Sequence, residues 1–211
     1  LQIYICRIVF NLKSAIIKLQ SVSRMHADIQ RILISQAQLA ARVTEMARQI
    51  TADHTSPDFP TDGEITIVPI LTGSFIFCAD LIRQIPLPIQ IGLLTVSSYP
   101  GSSIRTQGAQ VISKQLGNLK GRHVLLIDDI LDSGGTMRLV VPLLAELGAV
   151  SVKTCVLLHK SRPEAADVRA DYIGFEIPDE FVVGYGLDYN NYYRNLPDIV
   201  TLNAEAIARL A

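Results

Sequence analysis

Residues 124–136 concentrate the chemistry of this chain. Val124-Leu125-Leu126-Ile127 run directly into two adjacent carboxylates, Asp128 and Asp129. A third, Asp132, follows, and then the small residues Ser133-Gly134-Gly135-Thr136. Four apolar residues bounded in this way read as a buried strand. The acids are then expected where that strand ends, which is where open α/β sheets bind ligands. Two carboxylates beside a buried strand carry a desolvation cost that a ligand or metal would offset. The small residues are expected to open a helix, whose free N–H groups and positive dipole end suit a phosphate. Acid pair, single acid and phosphate cup in one turn point to a ligand with both a polyhydroxyl sugar and a phosphate. A nucleotide-hydrolase strand also ends in Asp, but it needs a G-x-x-x-x-G-K-[ST] loop upstream. The chain contains none.

Other segments must hold this turn in place. Leu39, Val43, Met46, Ala47 and Ile50 recur at helical spacing within Gln36–Ile50. Ile65–Leu71 reads as a strand broken by Thr72-Gly73-Ser74, and Phe75–Ile85 as a helix stopped by Pro86. Ile89–Val96 is a second apolar strand, and Val111–Gln115 a short one. His123–Ile127 is the central strand. Thr136–Leu147 is a helix that Gly148 would terminate. Ser151–Leu158, Tyr172–Phe175, Val182–Gly184 and Asp198–Leu202 read as strands, and Ala204–Leu210 as a last helix. Alternation of strand and helix predicts an α/β fold with a mainly parallel central sheet flanked by helices.

The run at 124–136 resembles the 5-phosphoribosyl-1-diphosphate (PRPP) motif of type I phosphoribosyltransferases. Ile70–Ser74, Thr95–Tyr99, His159-Lys160 and Gly174–Leu196 extend the resemblance to the hypoxanthine-guanine branch of that family. Phe175-Glu176-Ile177-Pro178-Asp179-Glu180-Phe181-Val182-Val183-Gly184-Tyr185-Gly186-Leu187-Asp188-Tyr189 is its most specific stretch. The resemblance implies a type I phosphoribosyltransferase fold with a small hood. It implies magnesium-dependent transfer of the phosphoribosyl group from PRPP to hypoxanthine or guanine, giving IMP or GMP and diphosphate.

The implied roles follow residue by residue. Asp128 and Asp129 would take the ribose hydroxyls, directly or through magnesium waters, because carboxylates only accept and sugar hydroxyls donate. Asp132 would be the catalytic group at the purine N7 and border the 5-phosphate, which Ser133, Gly134, Gly135 and Thr136 would bind. Leu71, Thr72, Gly73 and Ser74 would wrap the diphosphate, in a loop that often holds a non-proline cis peptide in the family. Thr72 stands where the family often has lysine. Arg194 would be a cationic fork on the diphosphate. Lys160 would donate to the purine O6 and so disfavour adenine. Phe181 would stack on the base, with Val182 and Asp188 beside it. Asp188, with Asp128 and Asp129, would be a magnesium ligand. Ser98 and Tyr99 would belong to a closing lid.

Composition bounds the alternatives. Nearly half of the 211 residues are hydrophobic and 18% are charged, so a packed core is expected. A net charge of −1 gives no basic surplus for nucleic acid, and no span suits a membrane. Cys6, Cys78 and Cys155 form neither a disulfide framework nor a zinc spacing, which fits a reducing cytoplasm. One domain is expected over 32–211, with its core at about 62–160 and the hood from about 32–40 and 170–205. Residues 1–31 are an N-terminal extension. Residues 1–24 are read either as lying upstream of a natural start at Met25 or as an amphipathic helix. A homodimer or homotetramer is implied by the resemblance. Two rival readings stay open: the same fold acting on another base, and a regulator that keeps the PRPP site but binds nucleic acid.

Overall fold

Apolar strands joined by amphipathic helices can bury themselves only between helical layers, and this dictates the architecture. A computed structural model of the chain describes residues 27–56, 64–97 and 109–210. Its elements are β1 (Ile29–Ile34), α1 (Gln36–His54), β2 (Ile65–Leu71), α2 (Phe75–Ile82), β3 (Ile89–Ile91), β4 (Leu93–Ser97), β5 (Gln110–Gln115) and β6 (His123–Leu131). There follow α3 (Gly135–Glu146), β7 (Ser151–Lys160), a 3-10 turn (Pro163–Ala165), β8 (Tyr172–Ile177), β9 (Ile199–Leu202) and α4 (Ala204–Leu210).

The main sheet runs β5-β4-β2-β6-β7-β8, with β3 also paired to β2. All pairings are parallel except β4 with β5. One face buries Leu39, Val43, Met46 and Ile50 of α1 with Phe77 and Leu81 of α2. The other buries Met137, Val140 and Leu144 of α3. The expected α/β sandwich is therefore the observed one. No helix among the described residues is long and apolar enough to cross a membrane.

Local signals explain most element ends. Ser35 caps α1 in a capping box: its Oγ accepts from the Gln38 amide, and Gln38 Oε1 accepts from the Ser35 amide at 2.9 Å. Asp198 adds a carboxylate at the same helix end, accepting from Gln36 N at 2.7 Å. Gly148, at φ +95°, closes α3, with Ala149 N donating to Leu144 O at 3.2 Å. Pro69 has no N–H to donate. It falls where the strand beside β2 is interrupted, between the pairings Ile67↔Ile91 and Ile70↔Leu94.

Four expectations need correction. The second apolar strand is split in two at Gly92, whose N–H bonds Ile67 O at 2.9 Å. The helix from Phe75 ends at Ile82, three residues early, in a turn over Arg83–Ile85. Val182–Gly184 is no strand; only isolated bridges, Val183↔Val200 and Gly184↔Leu187, form there. The central strand does not stop at Ile127 but continues to Leu131.

That last difference builds the cleft. β6 keeps β2 as neighbour only as far as Pro69↔Ile127, but keeps β7 up to Leu131↔His159. β2 turns away at Thr72, so the last four residues of β6 line an open notch. A smaller unit covers it from one side. In that unit β1 pairs antiparallel with β9, and Val183, Tyr193, Leu196, Val200, Leu202 and Ala206 form a separate apolar cluster. Asp28 pins it, accepting from Tyr193 Oη at 2.8 Å and pairing with Arg209 at 2.6 Å.

Candidate active site

The two acids of β6 touch each other. Asp128 is 5% exposed and Asp129 half-buried. Asp128 Oδ1 accepts from the Asp129 amide at 3.0 Å, and Asp129 Oδ1 from Ile130 at 3.1 Å. Burial, reinforced by the adjacent Asp129 carboxylate, pushes the Asp128 carboxyl well above the usual range. Burial also raises Asp129, while its hydrogen bond with Asp128 and the Arg194 charge pull it back. The two carboxyls titrate as a coupled pair, with Asp128 raised further than Asp129.

This has a signed consequence. Carboxyls whose folded pKa is raised stabilise the fold at low pH, and that stability is lost as pH rises through the folded value. Asp128→Asn is therefore expected to raise Tm at pH 8 by about 2–4 °C per kcal/mol of relieved strain. At pH 5 the shift should be smaller, and PRPP affinity should fall at least about tenfold, the scale of a lost hydrogen bond to a charged group. Thermal melts at both pH values with a PRPP titration check it. A lower Tm at pH 8 with unchanged affinity would contradict it.

The loop after β2 packs on this pair without slack. The Leu71–Thr72 peptide is cis. A Cβ on Gly73 would stand 1.8 Å from Asp129 Oδ2, and one on Gly186 would stand 2.1 Å from Gly73 O. Gly186 also has φ +108°. Gly186→Ala thus meets both a backbone clash and a left-handed conformation, the latter alone costing about 1–3 kcal/mol. Tm should drop by at least about 3 °C, and KM for PRPP should rise more than KM for the second substrate. Equal KM values with unchanged melting would refute this. Ser74 departs from the sequence reading. It is fully buried, its Oγ donates to Ile70 O at 2.6 Å and its amide to the same oxygen at 3.4 Å, so both donors face away from the cleft.

Arg194 and Asp188 close the other wall. Arg194 Nη1 donates to Gly186 O at 2.8 Å and Nη2 pairs with Asp188 Oδ1 at 2.7 Å. Asp188 Oδ2 accepts from the Asn191 amide at 2.7 Å. On the far side, Gly134 (φ +79°) precedes α3, whose first-turn N–H groups face the cleft from a twelve-residue helix. Arg138, which sequence reasoning missed, braces this cup. It donates to Ser133 O at 2.9 Å and to Glu164 O at 2.5 Å, and it pairs with Asp167.

The cleft has two lobes. The larger, about 550 Å³, is lined by Leu71–Gly73, Asp128–Thr136, Asp188 and Arg194, with Thr95, Val96 and Ile112 at its edge. The smaller, about 200 Å³, is lined by Lys160, Phe181, Val182 and Leu187. Asp129, Ile130, Asp132 and Asp188 line both, so the lobes meet along these residues. Lys160 is 6% exposed; its Nζ lies 3.5 Å from Asp179 Oδ1 and 3.9 Å from Asp132 Oδ2. Val182 is buried, whereas Phe181 is half exposed and meets Tyr189 edge-on, with 5.3 Å between ring centroids.

Asp132 Oδ1 lies within ion-pair range of Arg162 Nη1, at 2.9 Å, yet receives no properly directed hydrogen bond. That oxygen is buried against Arg162, whose Nε is likewise buried without a hydrogen-bond partner. Arg162 was also missed. Neither arginine could be found from sequence, because each acts across the fold on partners far along the chain. Ser98 and Tyr99, read as lid residues, and the N-terminal alternatives before Met25 lie outside the described residues.

Three comparisons bear on this geometry. A family model described as "Phosphoribosyl transferase domain" matches residues 31–190. The chain is 38% identical over 196 residues to a hypoxanthine-guanine phosphoribosyltransferase of Mycobacterium avium, covering 92% of this chain and 96% of that one. It is 40% identical to a hypoxanthine phosphoribosyltransferase of Haemophilus influenzae, covering 83% and 94%. A crystal structure of a hypoxanthine phosphoribosyltransferase from Staphylococcus aureus superposes with a TM-score of 0.77 at 38% identity, covering 86% of this chain and 95% of that one.

Proposed function

We propose roles for the cleft residues from one premise: the chain belongs to the phosphoribosyl transferase domain family. It is an enzyme of purine salvage that transfers the 5-phosphoribosyl group of PRPP to hypoxanthine or guanine, yielding IMP or GMP and diphosphate. The observation that carries the residue roles is the junction of the lobes at Asp132. Of the residues that line both lobes, Asp132 is the carboxylate that also pairs with Lys160 of the smaller one, so it lies beside a sugar held in the larger lobe and a base in the smaller.

The 5-phosphate would sit on the Ser133–Thr136 cup, against the α3 N-terminus. Asp128 and Asp129 would accept from the ribose hydroxyls and favour the positive charge that grows on the sugar as its bond to diphosphate breaks. Leu71–Gly73 amides and Arg194 would hold the departing diphosphate. Asp132 would accept the purine N7 proton. Lys160 would donate to O6, Phe181 would cover one face of the base, and the Val182 backbone would border its edge.

Magnesium fits this donor set. No cluster of three or more His, Cys, Asp or Glu occurs among the described residues. Magnesium, however, binds through one or two carboxylates with substrate phosphates and water. Asp188, and the buried Asp128 with its half-buried neighbour Asp129, whose charge a cation would offset, are the residues that would hold it. When bound it would spread the negative charge of the leaving diphosphate.

Assembly into a homodimer or homotetramer is what the family resemblance implies. The test is a steady-state assay of hypoxanthine, guanine, xanthine and adenine with PRPP and magnesium. IMP and GMP formation without AMP is expected; AMP formation at comparable rates would contradict the assigned base lobe.

A further inference from the structure

We propose that Arg162 is a positioning residue for the purine half of the reaction, acting through Asp132 and Asp179; this rests on the functional reading above. Four side chains form a closed ring of alternating charge. Arg162 reaches Asp132 at 2.9 Å and also pairs with Asp179. Lys160 reaches the same two acids at 3.9 and 3.5 Å. Each cation thus touches both acids.

The ring joins three parts of the site. Asp132 stands on the turn after β6. Asp179 stands on the segment that carries Phe181 and Val182 two and three residues later. Arg162 leaves the same turn as Lys160, its amide bonded to Lys160 O at 2.9 Å. Arg162 itself lines neither lobe. It therefore cannot act by touching either substrate.

Its planar fork can hold two carboxylates at fixed angles, which a single ammonium cannot. Without it, two acids compete for Lys160. The lysine is drawn off the base lobe, Asp132 loses its fixed orientation, and the Phe181 segment is released from the catalytic turn. The phosphoribosyl lobe keeps its own contacts: the glycine stack, Arg194 and the Arg138 brace involve none of these four residues. An ordinary exposed ion pair would do little. What distinguishes this one is that one of its acids lines both lobes.

The test is a double-mutant cycle with the full-length enzyme. Arg162→Met should lower kcat/KM for hypoxanthine at least about tenfold and shift KM for PRPP less than about twofold, within the range of measured coupling between contacting charges. Arg162→Lys should recover part of the loss. In an Asp132→Asn background, Arg162→Met should lower kcat/KM several-fold less than it does in the parent, because one of the two acids it acts on has lost its charge and only the Asp179 contact remains to be lost. Equilibrium binding gives a readout independent of turnover: Arg162→Met should weaken IMP about tenfold and ribose 5-phosphate less than about twofold. Additive losses in the cycle, or equal weakening of IMP and ribose 5-phosphate, would overturn the proposal alone. No turnover by the parent enzyme with either purine would overturn the functional reading and the proposal with it.

Discussion

Asp132→Asn is expected to lower kcat for IMP formation by about 10²–10³-fold, the scale of a lost general acid–base group. KM for PRPP should move little. The substitution keeps volume, and Asn can still cap the following turn, so folding is not the issue. What changes is the atom facing the base. A carboxylate offers only acceptors, whereas an amide can turn an NH₂ toward a purine N–H, placing donor against donor. Asp132 also lines both lobes of the cleft. Initial-rate kinetics with hypoxanthine and PRPP varied separately measure the effect. An unchanged kcat would remove Asp132 from the reaction.

Lys160→Met should lower kcat/KM for hypoxanthine by about 10³-fold and reduce discrimination against adenine, since sites built to hydrogen-bond one group reject its absence strongly. The loss has two sources. The O6 donor disappears, and Asp132 and Asp179 are left sharing Arg162 alone. Burial sharpens the first: at 6% exposure the ammonium would face a base in the smaller lobe with little competing water. Competition assays with hypoxanthine and adenine would test this. Retained preference for hypoxanthine would assign base reading to another group.

Sequence reasoning reached the central strand and its acids because four apolar residues followed by carboxylates can satisfy burial and solvation in few ways. It did not reach the strand's true end. Whether β6 stops at Ile127 or Leu131 depends on β7, which continues to pair, and on β2, which does not. Phe75–Ile85 was read too long because Pro86 marks where a helix must have stopped, not where it does. Val182–Gly184 has strand composition, but Gly184 and Gly186 at positive φ bend it into bridges. Ser74 is expected to offer its backbone N–H with the rest of the loop, but that amide turns back to Ile70 O at 3.4 Å. Only the fold shows its Oγ turned back to Ile70 O.

The roles of Asp128, Asp129, Lys160, Phe181 and Asp188 came from resemblance, and their convergence on one cleft is a fact of the fold. Arg138 and Arg162 carried no sequence signal. An arginine's partners are set by tertiary approach, and these lie up to 30 residues away.

The most direct test is a crystal structure of the enzyme with IMP, magnesium and diphosphate. The phosphate is predicted on the Ser133–Thr136 amides, the ribose hydroxyls at Asp128 and Asp129, N7 against Asp132 and O6 against Lys160. A nucleotide bound with its base away from Lys160 and Phe181, or its phosphate away from the α3 N-terminus, would contradict the account.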